Sequence, residues 1–216
     1  MTPQRHHLIY LKPDADFSLV ACHGDKKIIE EQVSSWLTRG FPCIYAKQLP
    51  DAETVNLGLS LWYASKKHRV GLRVVPSVIQ KQEPLPQLIE MQDFFLRYYG
   101  LDDLSRFIEF YEMSDVAVYG SFLFQYLSGY DFVTESSDLD LLLNYDEYSL
   151  AHLQGFIDTL TQQFKRTIDG EVRFQTLGDI SIKELLNTST KKLLCKSKNN
   201  VILLSRTELY EHYPLL

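Results

Sequence analysis

Two aspartates, Asp138 and Asp140, stand on either side of a leucine in "SSDLDLLL", where an apolar run begins. Side chains two residues apart on a strand share a face. Like charges so placed repel, which is tolerable if the strand end opens to solvent or if a cation sits between them. Carboxylate oxygens are natural ligands of a hard divalent ion such as Mg2+. Upstream, "VYGSFLFQYLSG" places Gly120-Ser121 where an apolar strand gives way to a helix. Glycine lets the backbone turn tightly there, and the unpaired amides and dipole of a helix start, with the Ser121 hydroxyl, favour an anion such as phosphate. Downstream, "TIDGEVRF" offers Asp169 and Glu171 around Gly170, on one face if the strand begins there. Glu171 is preferred as a third carboxylate because it lies more firmly within the strand, with Asp169 the alternative. One feature would then grip a phosphate and the other the metal that neutralises it. The plain alternative is a solvent-facing pair on a half-buried strand and a simple helix cap.

The elements that must position these residues follow from periodicity. The second half reads as strand "DVAVYG", helix "SFLFQYLSG", strand "SDLDLLLNY", helix "YSLAHLQGFIDTLTQQF" and strand "GEVRFQTL". A helix "ISIKELLN" and the strand pair "KKLLCKS" and "NVILLSR" follow, giving an α/β pattern on a mixed sheet. The first part is strand-rich with one helix. "HHLIYLK" and "PCIYAKQL" are strands, "DKKIIEEQVSSWLTRG" is a helix stopped at Gly40, and "TVNLGLSLWYA" and "HRVGLRVVP" form a hairpin around "SKK". The polar, proline-containing "SVIQKQEPLPQ" marks a boundary. An amphipathic segment closing on Gly100 and a second helix capped by Asp102 or Asp103 come next.

Composition excludes several classes. At 216 residues, 45% hydrophobic and 23% charged, the chain is an ordinary globular one. Its longest apolar runs are too short for a membrane span, its start lacks the order of a signal peptide, and the cytoplasm is the expected location. The net charge of −6 argues against an extended nucleic-acid surface. Cys22, Cys43 and Cys195 show no metal or disulfide spacing and read as small apolar residues, and the histidines are assigned no chemistry. Two basic clusters, Lys66-Lys67-His68-Arg69 and Lys191-Lys192, are either solvated edges or contacts for a phosphate or an acidic partner.

Gly-Ser at a helix start followed by Asp-hydrophobe-Asp resembles the nucleotidyltransferase superfamily. More narrowly, "RHHLIYL", "VNLGLSLWYASKKHRVGLRV", "VYGSFLFQYLSG", "SSDLDLLL", "DGEV" and "LLCKSKNNVILLSR", in this order, resemble the malonate decarboxylase holo-acyl-carrier-protein synthases, a family of phosphoribosyl-dephospho-coenzyme A transferases. The likeness spans nearly the whole chain. It implies an α+β protein with a strand-rich N-terminal domain over residues 1–80, linking helices over 81–112 and a nucleotidyltransferase-like α/β domain with a mixed sheet over 113–216.

The resemblance also implies a reaction. The phosphoribosyl-dephospho-coenzyme A group of 2'-(5''-triphosphoribosyl)-3'-dephospho-coenzyme A would pass to a serine of the apo acyl-carrier subunit of malonate decarboxylase, with release of pyrophosphate. Asp138 and Asp140 would bind Mg2+, Gly120 and Ser121 would hold the triphosphate, and Glu171 or Asp169 would assist deprotonation of the serine. Lys196 would contact phosphate. Two positions depart from the family pattern. Arg5-His6-His7 stands where Arg-His-Asp is frequent, and Ile182-Lys183-Glu184 where Trp-Arg-Glu is frequent. Lysine keeps the charge at 183 but loses the planar fork of arginine. An ATP-dependent adenylyltransferase and an inactive nucleotidyltransferase-fold binding module are the competing readings.

Overall fold

The computed structural model describes residues 3–49, 52–101 and 104–216. Its first unit, Met1–Leu85 with Leu127–Phe132, contains β1 (Leu8–Leu11), β2 (Ser18–Ala21), α1 (Lys26–Thr38), β3 (Cys43–Tyr45), β4 (Val55–Tyr63), β5 (Lys66–Val74) and β6 (Ile79–Glu83). The strands form one antiparallel sheet in the order β2-β5-β4-β3-β1-β6.

Residues Ile29, Val33, Trp36 and Leu37 give α1 a single buried stripe. The Asp25 carboxylate caps its start by accepting from the Lys27 and Ile28 amides, and Gly40 ends it at φ +75°. In the β4–β5 hairpin Leu57 pairs with Leu72 and Leu59 with Val70, all of them buried. The expected turn at "SKK" is tighter than anticipated. Only Ala64 and Ser65 lie outside the strands, both at positive φ, as a two-residue turn matching the strand twist requires. The polar segment read as a boundary contains β6, which pairs with β1.

The second unit, Pro86–Tyr126 with Val133–Leu216, runs α2 (Gln92–Tyr99), α3 (Leu104–Tyr111), β7 (Val116–Tyr119), α4 (Gly120–Ser128, its last two residues belonging to the first unit), β8 (Leu139–Asn144), α5 (Leu150–Phe164) and β9 (Ile168–Phe174). It continues with β10 (Gly178–Ser181), α6 (Ile182–Leu186), β11 (Lys192–Lys196), β12 (Val201–Ser205) and α7 (Arg206–His212). Asp102 and Asp103, expected to cap the second helix, lie outside the described residues.

The second sheet has the order β12-β11-β10-β9-β8-β7. Only β8 and β9 are parallel, so the protein is α+β with a mixed second sheet. Helix α5, capped by the Ser149 hydroxyl accepting from the His152 amide, links that parallel pair. On one sheet face Leu139, Leu141, Leu143, Val172 and Ile180 belong to a single core with Leu153, Phe156 and Leu160 of α5 and Leu185 of α6. Burying such side chains is worth roughly 1.5–3 kcal/mol each, so this apolar face anchors the sheet. The other face carries the charge.

Among the described residues no helix is long and apolar enough to cross a membrane. Cys43 and Cys195 are buried, and burial pushes the Cys43 thiol up to about 12, far from a thiolate nucleophile.

Candidate active site

Asp140 is the second residue of β8 and Asp169 the second of β9, and the parallel register sets them side by side. Strands in a sheet lie ~4.8 Å apart, so these carboxylates open the same end of the polar face. Asp138 immediately precedes β8 and is half-buried, as Asp140 is. Two glycines make this arrangement possible. Gly120, at φ +71°, turns the chain from β7 into α4, and a Cβ there would fall 2.0 Å from Asp140 Oδ2, so the Asp140 carboxylate rests against the start of α4. Gly170 lies at φ +141°, where a Cβ would fall 1.9 Å from the Leu141 carbonyl oxygen and force β9 away from β8. Ser121 is buried within α4.

A lysine stands within the field of these carboxylates and bonds one of them. Lys183, in α6, donates from Nζ to Asp169 Oδ2 at 2.9 Å, while Asp169 Oδ1 accepts from the Gly170 amide at 2.8 Å. Lys183 is held above its ordinary value by the Asp169 hydrogen bond first, against a smaller opposing effect of burial, and then by the charges of Asp169, Asp138 and Asp140. Three anions therefore act on a single ammonium. The oxygens of these three aspartates do not all lie within 4.8 Å of one another, and Asp169 is engaged by Lys183. As half-exposed, oxygen-only donors they have the chemistry that suits Mg2+, an ion that keeps several waters when bound. They could hold it.

Deeper along the same face the charges pair off. Glu171 sits opposite Leu142, two residues beyond Asp169, with its side chain 7% exposed against 34% for Asp169. Its Oε1 accepts from Lys196 Nζ at 2.8 Å. Arg173 follows and clamps Asp179 through two bonds, Nε to Oδ1 at 2.7 Å and a terminal guanidinium nitrogen to Oδ2 at 2.9 Å. Of the residues read from sequence, the structure brings Asp138, Asp140, Asp169 and Gly120 together and sets Glu171 apart with Lys196.

From sequence Lys183 offers only its charge, because nothing in local spacing reveals a partner fourteen residues away. The Arg173–Asp179 clamp was likewise invisible. It depends on β10, a four-residue strand with little alternation to announce it. The basic residues Lys66, Lys67 and Arg69 are exposed at the β4–β5 hairpin end, as Lys191 and Lys192 are around the start of β11.

Residues 4–84 match the family model described as the phosphoribosyl-dephospho-CoA transferase MdcG N-terminal domain, and residues 100–207 match that of the C-terminal domain. A phosphoribosyl-dephospho-CoA transferase of Bradyrhizobium diazoefficiens is 28% identical over 208 residues, covering 94% of this chain and 91% of that one. Proteins of the same name from Xanthomonas campestris and Xanthomonas axonopodis are each 27% identical, covering 95% of this chain and 96% of theirs. No solved structure matches.

Proposed function

The chain belongs to the phosphoribosyl-dephospho-CoA transferase family, a family of enzymes, and from that premise we propose the donor, the acceptor and the residues that join them. The donor is 2'-(5''-triphosphoribosyl)-3'-dephospho-coenzyme A, and the acceptor is a serine of the apo acyl-carrier subunit of malonate decarboxylase. The serine oxygen forms a bond to the phosphorus next to the ribose, the bond from that phosphorus to the outer two phosphates breaks, and pyrophosphate leaves. The observation that supports this reading best is the side-by-side placement of Asp140 and Asp169 at the open end of β8 and β9, with the start of α4 packed on Asp140.

Asp138 and Asp140 are the metal-binding pair. Mg2+ held there would polarise the phosphate oxygens and neutralise the departing pyrophosphate. Asp169 takes the serine proton, a role that its exposure and its place beside Asp140 support over Glu171, which is buried beside Lys196. Lys183, more than half exposed, is free to swing from Asp169 onto the incoming triphosphate, where its point charge needs no bidentate fit. The α4 start at Gly120 and Ser121 presents backbone amides to the same phosphates. Glu171 steadies Lys196, whose ammonium remains partly open to a phosphate oxygen.

Intact mass spectrometry of the apo carrier subunit, after incubation with this protein, Mg2+ and the donor, tests the reading. A mass gain equal to the phosphoribosyl-dephospho-coenzyme A group, absent with Asp138→Asn, is expected. No gain with that donor beside adenylylation in a parallel ATP reaction would replace it with the adenylyltransferase reading.

A further inference from the structure

The first unit contains a cavity of about 320 Å³ to which the carboxylates and lysines described above contribute no side chain. One wall is a stripe of α1, Gln32, Ser35 and Trp36, continued at i+7 by its C-cap residue Arg39. A second comes from the end of β4 at Leu61 and Trp62, and a third from Tyr130, Asp131 and Phe132. Its size lies at the small end of the roughly 300–1,000 Å³ typical of ligand pockets.

The floor is rigid. Trp36 is buried, its indole N–H donates to the Pro42 carbonyl at 3.0 Å, and Phe132 meets it edge-on with ring centres 6.0 Å apart. The mouth is different. Trp62 and Tyr130 remain 40% and 39% exposed, large rings left half in water at the opening of a cavity. Folding alone gives no reason to leave both uncovered, since burial of apolar surface is what stabilises the unit. Arg39 lies over the Tyr130 ring at 5.5 Å, which holds a positive charge at the rim beside the Asp131 carboxylate, the Gln32 amide and the Ser35 hydroxyl.

We propose that this cavity binds the purine ring of an adenine nucleotide, stacked on Trp62 and Tyr130 with its phosphate toward Arg39. The aromatic faces suit a planar ring, and the hydrogen-bonding rim suits a ring with polar edges rather than a hydrocarbon. The guanidinium at the rim complements an attached phosphate. The choice of adenine rests on the transfer reading above, whose donor carries that base.

The chain has two tryptophans, Trp36 and Trp62, and both line this cavity, so intrinsic fluorescence of the whole protein reports on it. Excitation at the red edge of indole absorption, with titration of dephospho-coenzyme A and of phosphopantetheine, separates the base from the rest of the molecule. Saturable quenching by dephospho-coenzyme A but not by phosphopantetheine is expected. Trp62→Ala, which keeps Trp36 as reporter, should weaken binding roughly tenfold or more, and Trp62→Phe, which keeps an aromatic face, clearly less. No saturable response to dephospho-coenzyme A, equal affinity in Trp62→Ala and wild type, or an equal response to phosphopantetheine would overturn the assignment. The two readings fail separately. Quenching without transfer to the carrier would remove the proposed reaction alone, and transfer without quenching would remove the purine site alone.

Discussion

The two ends of the polar face of β9 carry the same kinds of side chain at the same spacing and are built for different work. At the open end, half-exposed Asp169 faces Asp140 and is held by a lysine that is itself largely in solvent. Two residues deeper, Glu171 is buried and bonded to Lys196 on β11, and Arg173, itself only 15% exposed, is bonded to the buried Asp179 on the neighbouring strand β10. A surface ion pair contributes little stability and can be exchanged for a substrate contact. A buried one cannot lose a partner without leaving a desolvated charge behind. The contrast assigns metal binding and proton transfer to the first end, while at the second the buried carboxylates of Glu171 and Asp179 hold the sheet together and Lys196 reaches out to phosphate.

Removing a buried partner should have the largest effect. Arg173→Met removes both guanidinium bonds from Asp179, 3% exposed, and should cost several kcal/mol, up to about 3–5, in urea unfolding. A stability within experimental error of wild type would erase the distinction between the two ends.

At the open end the effect should fall on rate instead. Asp138→Asn or Asp140→Asn should lower transfer by about a hundredfold or more while the unfolding midpoint barely moves, because metal-assisted charge stabilisation is worth several kcal/mol. Retained turnover in either variant would remove the metal-site assignment.

Gly120→Ala probes the joint between helix and carboxylate. The added Cβ must push the Asp140 carboxylate off the α4 start and occupy a left-handed conformation, which costs roughly 1–2 kcal/mol. Transfer should fall by more than the stability loss explains. Gly170→Ala, blocked by backbone rather than by a side-chain tip, should instead disrupt the β8–β9 pair and destabilise the whole unit.

The smallest effect is the pH dependence of Lys183. Its folded-state value is raised, so its contribution to stability is fully present below the ordinary lysine value of 10.5 and is lost as pH rises through the higher folded value. The stability difference between wild type and Lys183→Met should therefore be constant from neutral pH to that range and shrink above it. With so exposed a side chain it should stay below ~1 kcal/mol throughout. A difference that grows with pH would contradict the pairing.

Much of the fold is legible in the sequence because long elements carry a period. The stripe of α1, the alternation of β4 and β5 and the stripe of α5 fall where apolar spacing puts them. Elements that bury little are not legible. Strand β6 has no buried residue and is specified by its pairing with β1, and α7 is a short helix whose capping box joins it directly to β12. At the site, Asp138, Asp140 and the turn at Gly120 can be found from residue type and spacing. The depth of Asp169 and Glu171 cannot. A two-residue interval fixes the face of a strand, whereas burial depends on which rung of β8 lies opposite, and that register is set by the close approach at Gly170. The cavity beside Trp62 was equally hidden, since its walls come from three separate stretches of chain.

The most direct test compares Asp169→Asn with Glu171→Gln, measuring the single-turnover transfer rate and the unfolding midpoint of each protein. Asp169→Asn should lose most of its rate and keep its midpoint, while Glu171→Gln should lower the midpoint and, well below it, transfer at nearly the wild-type rate. The reverse pattern, with Glu171→Gln inactive at full stability and Asp169→Asn active, would place the chemistry at the buried end and contradict the assignment.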